Sequence, residues 1–118
     1  MKPFPNEHEL TEFFGALPEL TDRGVPWVYN RLTFVCVQGE DVVRIEIEPA
    51  SRILRVLWTR NAVERVRLDL ERVEALRLDR DEGQDVLVAT VGRHEVSDLR
   101  LRIAPTVHLQ WSDRDPFA

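Results

Sequence analysis

Apolar and ionic residues alternate strictly over much of this chain, and the alternation is clearest between residues 40 and 60. In the first half of this stretch, the odd-numbered residues Val43, Ile45 and Ile47 are apolar. The even-numbered residues between them are ionic: Arg44, Glu46 and Glu48. Side chains of an extended strand point to opposite faces in turn, so this pattern predicts a half-buried strand. Pro49 interrupts it, because proline lacks the N–H that a sheet ladder needs. A second alternating run follows from Ile53, and two runs joined by about four residues predict an antiparallel hairpin.

The same rhythm continues downstream, with one ambiguous stretch at residues 61–79. Its apolar residues alternate locally, yet they also recur at spacings of three and four, which is typical of a helix. We favour two strands, 63–70 and 73–80, with a corner at Glu71 and Arg72, because the two alternating runs are out of phase with a single helix. Strands are also predicted at about 85–91, 99–103 and 106–111, with turns at 81–84 and 92–95.

The N-terminal part predicts a helix over about residues 7–15. Asn6 and Glu9 have the spacing of a capping box, while Gly15 and Pro18 are typical of a helix end. The helix carries an apolar stripe of Leu10, Phe13, Phe14 and Leu17, which is expected to pack on the sheet. A connecting loop is predicted from Leu20 to Pro26, followed by a strand over about residues 27–37, either continuous or broken by a bulge near Asn30 and Arg31.

Together these elements predict a mainly β protein, at the border of α+β, with one N-terminal helix. Seven or eight short antiparallel strands in a meander fit either a two-layer β-sandwich or a curled sheet covered by the helix. The length of 118 residues suits one domain. We expect it to span residues 1–118, with the helix at 7–15, a β-rich part at 26–112 and a polar tail at 113–118.

Composition narrows the classes of function. The net charge of −5 and pI of about 5.2 argue against nucleic acid or a membrane surface as partner, and they permit a basic protein. No signal-peptide pattern and no apolar run of about 18 residues is present, so a cytoplasmic location is expected. The single cysteine, Cys36, lies in an apolar run and is interpreted as a small buried hydrophobe.

Residues typical of catalysis or metal binding do not occur in useful patterns. The three histidines lack metal-ligand neighbours, the five glycines are isolated at predicted turns, and no serine has a nucleophile-elbow context. We therefore predict a protein without enzyme activity, cofactor or metal. The ionic residues of the strands are expected to face outward and to pair across strands. They are Arg44, Glu46, Arg55, Arg65, Arg67, Asp69, Arg77, Asp79, Arg100 and Arg102.

The strongest candidate for a partner-binding site is the predicted turn at residues 79–85, which holds four acids: Asp79, Asp81, Glu82 and Asp85. As an ordinary solvated loop it needs no further role, whereas as a site it would receive a basic surface. The three tryptophans, Trp27, Trp58 and Trp111, lie on the same strand faces as neighbouring apolar residues and are expected in the core. An exposed one would be an interface anchor.

Two end segments carry a family resemblance. FPNEHELTEFFGALPEL at residues 4–20 and LRLRIAPTVHLQW at residues 99–111, with the meander between them, resemble small bacterial immunity proteins of polymorphic toxin systems. The resemblance implies a cytosolic module that binds and neutralises a cognate toxin, with a basic toxin domain as partner. One alternative is a structural or regulatory β module that self-associates as a homodimer through a strand edge. Another is a small-molecule binder that uses the interior of a curled sheet.

Overall fold

The computed structural model describes residues 1–92 and 96–114. Helix α1 spans Glu7–Phe14, and a short 3-10 helix spans Trp27–Tyr29. These residues form nine strands: β1 (Glu19–Leu20), β2 (Leu32–Gln38), β3 (Asp41–Glu48), β4 (Ile53–Arg60), β5 (Val63–Leu70), β6 (Val73–Asp81), β7 (Gln84–Val91), β8 (Val96–Arg102) and β9 (His108–Arg114).

The strands form two antiparallel sheets in which each strand pairs with its neighbours in sequence. One sheet has the order β1-β2-β3-β4-β5 and the other the order β6-β7-β8-β9. Buried side chains of both sheets and of α1 belong to one hydrophobic cluster, so the sheets form two layers around a shared core. The predicted mainly β meander is confirmed, and of the two architectures left open the structure has the two-layer one.

The ambiguous stretch at residues 61–79 is two strands, as favoured. β5 ends at Leu70 and β6 begins at Val73, so Glu71 and Arg72 carry the chain from one sheet to the other. The Val73 N–H donates to the Arg52 carbonyl oxygen at 2.9 Å, and the Gly92 N–H donates to the Arg72 carbonyl oxygen at 3.1 Å. These bonds fix the corner because they satisfy backbone groups that neither ladder uses.

The helix forms and packs as the sequence predicts, except at its end. The capping box between Asn6 and Glu9 is present, and Gly15 adopts a left-handed conformation that ends the helix. Phe14 stacks on Phe34 of β2 with ring centroids 4.2 Å apart. Leu17 is 77% exposed, so its assignment to the buried stripe is wrong: the helix ends at Phe14, three residues before it.

The predicted strand at 27–37 is wrong in its first half, because the chain forms a 3-10 turn there and β2 begins only at Leu32. Asn30 is the physical reason. Its buried side-chain amide donates to the Val25 carbonyl oxygen at 3.0 Å and to that of Asp22, while its carbonyl oxygen accepts from the Arg31 N–H at 2.9 Å. Backbone groups satisfied by a local side chain do not need a sheet partner.

Two boundaries differ in smaller ways. Glu19 and Leu20 form β1, which pairs with the start of β2, where a loop was expected from Leu20 onward. β9 reaches Arg114 and so enters the predicted polar tail. The predicted turn at 92–95 beyond Gly92, and residues 115–118 of that tail, lie outside the described residues.

Candidate functional site

The four acids singled out in the sequence come together at the tip of the β6–β7 hairpin. Its turn is formed by Glu82 and Gly83, whose φ angles are 52° and 78°. Two consecutive positive φ angles are typical of the tight turn that matches the twist of antiparallel strands. Asp81 and Gln84 are paired across the two strands at this turn. We refer to residues 79–85 as the acidic hairpin.

Arginines partly neutralise the acidic hairpin. Arg100 of β8 lies with its Nη2 at 3.5 Å from Asp79 Oδ2 and 3.6 Å from Asp81 Oδ2. Arg80, within the hairpin, lies with its Nε at 3.5 Å from Asp85 Oδ1. Four carboxylates against two guanidinium groups leave a formal charge of −2. The acidic hairpin together with Arg100 is therefore negative, but it carries half the formal charge of its four carboxylates alone.

The acids that remain most available lie at the tip. The side chain of Asp85 is 67% exposed and that of Asp81 is 58% exposed. Glu82 is exposed too, and within residues 1–92 and 96–114 its side chain has neither a hydrogen bond nor an ion pair. These carboxylates can accept charge-assisted hydrogen bonds from an incoming Lys or Arg.

A second polar surface is the outer face of the five-stranded sheet, where Arg55 forms three ion pairs. Its Nη1 lies 3.1 Å from Glu48 Oε2 and 3.5 Å from Glu46 Oε2, and its Nε lies 3.3 Å from Asp69 Oδ1. Glu46 and Asp69 are the cross-strand neighbours of Arg55 on β3 and β5. Burial lowers the pKa of Arg55, but the charges of Asp69 and Glu48 outweigh that effect and hold the pKa above its ordinary value.

The predicted cross-strand pairing of outward charges is thus observed at Arg55, which pairs with Glu46 of β3 and Asp69 of β5, whereas Arg44 and Arg67 pair with acids of their own strands. Arg31 also pairs with Glu48 at 3.4 Å, and Arg44 pairs with Glu46 at 3.4 Å. A face whose charges already neutralise one another presents little net field to a partner. This network accordingly reads as stabilisation of the sheet surface, at roughly 0.2–1 kcal/mol for each pair.

Exposed apolar side chains lie beside this network and were missed in the sequence. Val35 is 47% exposed and Val37 is 68% exposed, because both have the outward parity of β2. The sequence did carry a signal for this exposure, because Val35 and Val37 alternate with the buried Leu32 and Phe34 and so point to the opposite face of the strand. Among the tryptophans, Trp27 and Trp58 pack against the core, whereas Trp111 on the outermost strand of its sheet is 44% exposed. Trp111 is therefore the tryptophan placed to act as an interface anchor.

Cys36 behaves as the buried hydrophobe that was predicted. Its thiol is 5% exposed and donates to the Phe14 carbonyl oxygen at 3.3 Å. Burial raises the pKa of the Cys36 thiol to about 11, so at neutral pH the thiol stays protonated. This environment is the opposite of the one that activates a nucleophilic cysteine.

Concave features of the structure are shallow and lie on its surface. A cavity of about 340 Å³ lies between the loop before β2 and the β3–β4 turn, with Tyr29, Arg31 and Glu48 in its walls. The space between the sheets, which a small-molecule binder would use, is filled by core side chains such as Phe34, Ile45 and Leu87, each at most 2% exposed.

Over residues 1–92 and 96–114, no group of three or more His, Cys, Asp or Glu side chains is placed to hold a metal ion. In the same part of the chain, no helix has the length and apolar character needed to cross a bilayer.

The architecture defines a small antiparallel β-sandwich protein with a helix packed at its N-terminus. The same fold occurs in a chain of a contact-dependent growth inhibition toxin–immunity protein complex from Klebsiella pneumoniae 342. The two chains align with a TM-score of 0.81 at 16% sequence identity, over 93% of this chain and 95% of that one. No protein-family model matches the sequence, and no curated protein matches it. At the level of the fold, the match bears out the resemblance carried by the two end segments.

Proposed function

We propose that this chain is an immunity protein, which binds a cognate bacterial toxin in the cytosol and blocks it without catalysing a reaction. The observation that carries the proposal is the fold shared with a chain of a toxin–immunity protein complex over almost the full length of both chains. The resemblance of the two end segments, at residues 4–20 and 99–111, to immunity proteins is consistent with it.

The acidic hairpin is the surface proposed to meet the toxin, and the proposed toxin surface is basic. The formal charge of −2 at the hairpin and of −5 over the whole chain favour a basic partner. Complementary charge raises the rate of encounter and suppresses wrong partners. The exposed Glu82 and Asp85 are the side chains proposed to form the ion pairs.

The proposal predicts a toxin gene beside the gene for this chain, and the direct test uses the toxin domain that this neighbouring gene encodes. Expression of that domain in bacteria is expected to arrest growth, and co-expression of this chain is expected to restore it. Isothermal titration calorimetry with the purified toxin domain, inactivated at its catalytic residues, should show a one-to-one complex. Absence of both rescue and binding would refute the proposed function.

A charge-neutralising pair of variants tests the surface separately. Glu82→Gln/Asp85→Asn removes two acids from the hairpin, and Glu7→Gln/Glu12→Gln removes two exposed acids from α1 as a matched control. The first is expected to slow association and to weaken its dependence on salt, since screening acts on this attraction. Equal association rates for both variants would exclude the acidic hairpin while leaving the immunity function standing.

A further inference from the structure

Strand β5 is an outermost strand whose second side has no strand beside it in the described structure. It pairs with β4 on one side only, so every second residue directs its backbone N–H and C=O groups away from the sheet. Its ladder with β4 is regular from Leu70 back to Val66, and a bulge follows opposite Trp58 and Thr59. The residues from Val66 to Leu70 are therefore a regular edge without a bulge.

The sequence around this edge is complementary to itself in the antiparallel direction. Residues 64–72 read ERVRLDLER, and Leu68 is the centre. Positions at equal distance on either side of Leu68 carry either two apolar side chains or two opposite charges. The pairs are Arg67 with Asp69, Val66 with Leu70, Arg65 with Glu71, and Glu64 with Arg72.

This arrangement fits a second copy of the same strand. Antiparallel pairing of two β5 strands around a twofold axis at Leu68 sets residue 67 of one copy opposite residue 69 of the other, twice. Each Arg67 then faces an Asp69. On the inner face the partly buried Leu68 side chains meet at the axis, and Val66 lies opposite Leu70, so that the edges of the two cores join.

Both charged residues have room for the additional contact. Arg67 already pairs with Glu64 at 2.7 Å, and Asp69 pairs with Arg55 at 3.3 Å. Their side chains nevertheless keep 67% and 63% of their surface exposed. A guanidinium and a carboxylate can each take a second partner, so dimer formation does not require the internal pairs to break.

The other outermost strands lack this property or are covered. The edge of β6 is bonded to the N-terminal segment: the Lys2 N–H donates to the Glu74 carbonyl oxygen, and the Leu76 N–H donates to that of Pro3, both at 2.9 Å. In β9, taken about its central residue Trp111, Leu109 would face Asp113 and His108 would face Arg114. Of the outermost strands β5, β6 and β9, only β5 combines an edge without a bonded segment and complementary positions about its centre in the described structure.

We propose that this chain forms a twofold homodimer in which the β5 strands pair edge to edge, which joins two five-stranded sheets into one of ten strands. The partner at this edge is a second copy of the chain, held by backbone hydrogen bonds and by two Arg67–Asp69 ion pairs. This dimer is independent of the proposed binding of a toxin.

Charge reversal tests the register of the dimer. Arg67→Asp sets Asp against Asp across the axis, and Asp69→Arg sets Arg against Arg. Each single variant is expected to weaken the dimer about tenfold or more, since both symmetry-related pairs turn repulsive. The double variant Arg67→Asp/Asp69→Arg restores attraction and is expected to dimerise like the original chain.

A mixture of the two single variants provides the decisive measurement. Each alone is expected to dimerise about tenfold or more weakly than the original chain, whereas an equimolar mixture forms a heterodimer in which both ion pairs are attractive. Sedimentation equilibrium from about 1 μM to 1 mM covers the affinities of weak and moderate dimers, and circular dichroism checks that each variant is folded. An original chain that stays monomeric throughout, a dimer insensitive to the single reversals, or a mixture without heterodimer would each overturn the proposal.

Discussion

The β4–β5 turn places an alanine where the backbone favours glycine, and this leads to a quantitative prediction. Asn61 and Ala62 have φ angles of 51° and 62°, and the β6–β7 turn has the same form with Gly83 at 78°. The left-handed conformation costs an L-residue such as alanine roughly 1–2 kcal/mol, while glycine costs about 0.4–1 kcal/mol in entropy of the unfolded chain. Ala62→Gly should therefore raise the free energy of unfolding by about 0.5–1 kcal/mol.

The reverse change is available in the second turn. A Cβ added at Gly83 would have no atom outside its immediate neighbours within 4 Å, so Gly83→Ala tests the backbone conformation without a steric clash. It should lower the free energy of unfolding by about the same 0.5–1 kcal/mol. Ala50→Gly is the matched control, because Ala50 lies exposed in the β3–β4 turn without a positive φ. That variant should lower stability through entropy alone.

Thermal unfolding followed by circular dichroism measures all three variants. The unfolding entropy of about 2 cal/mol/K per residue, applied to 118 residues, converts these free energies into shifts of roughly 2–4 °C in Tm. The expected order is Ala62→Gly above the original chain, and Gly83→Ala and Ala50→Gly below it. An Ala62→Gly variant that melts below the original chain, as Ala50→Gly should, would refute the assignment of a strained left-handed alanine.

Three further predictions concern the core. Phe14→Ala removes the ring stacked on Phe34 and should cost about 3–5 kcal/mol in urea unfolding, whereas Phe13→Ala, at a half-buried position, should cost less than half as much. Asn30→Ala leaves loop carbonyls unpaired and should cost about 1–3 kcal/mol; unchanged stability would contradict its role as a loop clamp. The pKa of Cys36 is raised by burial from 9.0 to about 11, so the folded chain holds the thiol proton more tightly than the unfolded chain. Stability from this group is present below pH about 9 and falls as the pH rises toward 11, and Cys36→Ala should remove that part of the pH dependence.

Periodicity was sufficient to predict most of the strands. The two runs around Glu71 and Arg72 were identified because their alternation changes phase there, which one helix cannot accommodate, and the structure places its sheet-to-sheet corner at that point. The apolar character of both faces of residues 85–91 likewise fits β7, which lies between two strands, with Val88 fully buried on the face away from the core cluster. Local patterns of this kind reflect which faces are buried.

Errors arose where a single residue, rather than the spacing of apolar positions, determined the backbone conformation. Trp27, Val28 and Tyr29 are apolar and were assigned to the strand, yet Asn30 satisfies the loop backbone and a 3-10 turn forms instead. Leu17 keeps helical spacing although Gly15 has already ended the helix. Neither outcome follows from periodicity, because one depends on side-chain hydrogen bonds of Asn30 and the other on the left-handed conformation of Gly15.

The candidate site shows a different limit, since its electrostatics depend on the sheet register. The sequence places four acids within seven residues, but Arg100 is 19 residues beyond Asp81 and reaches the hairpin only because β8 pairs with β7.

Removing Arg100 should therefore strengthen the negative field at the acidic hairpin without adding an acid. If the hairpin meets a basic toxin, Arg100→Gln should speed association at low salt, and this gain should disappear at high salt. A slower association for Arg100→Gln would mean that the arginine orients Asp79 and Asp81 for the partner, rather than competing with it for their charge.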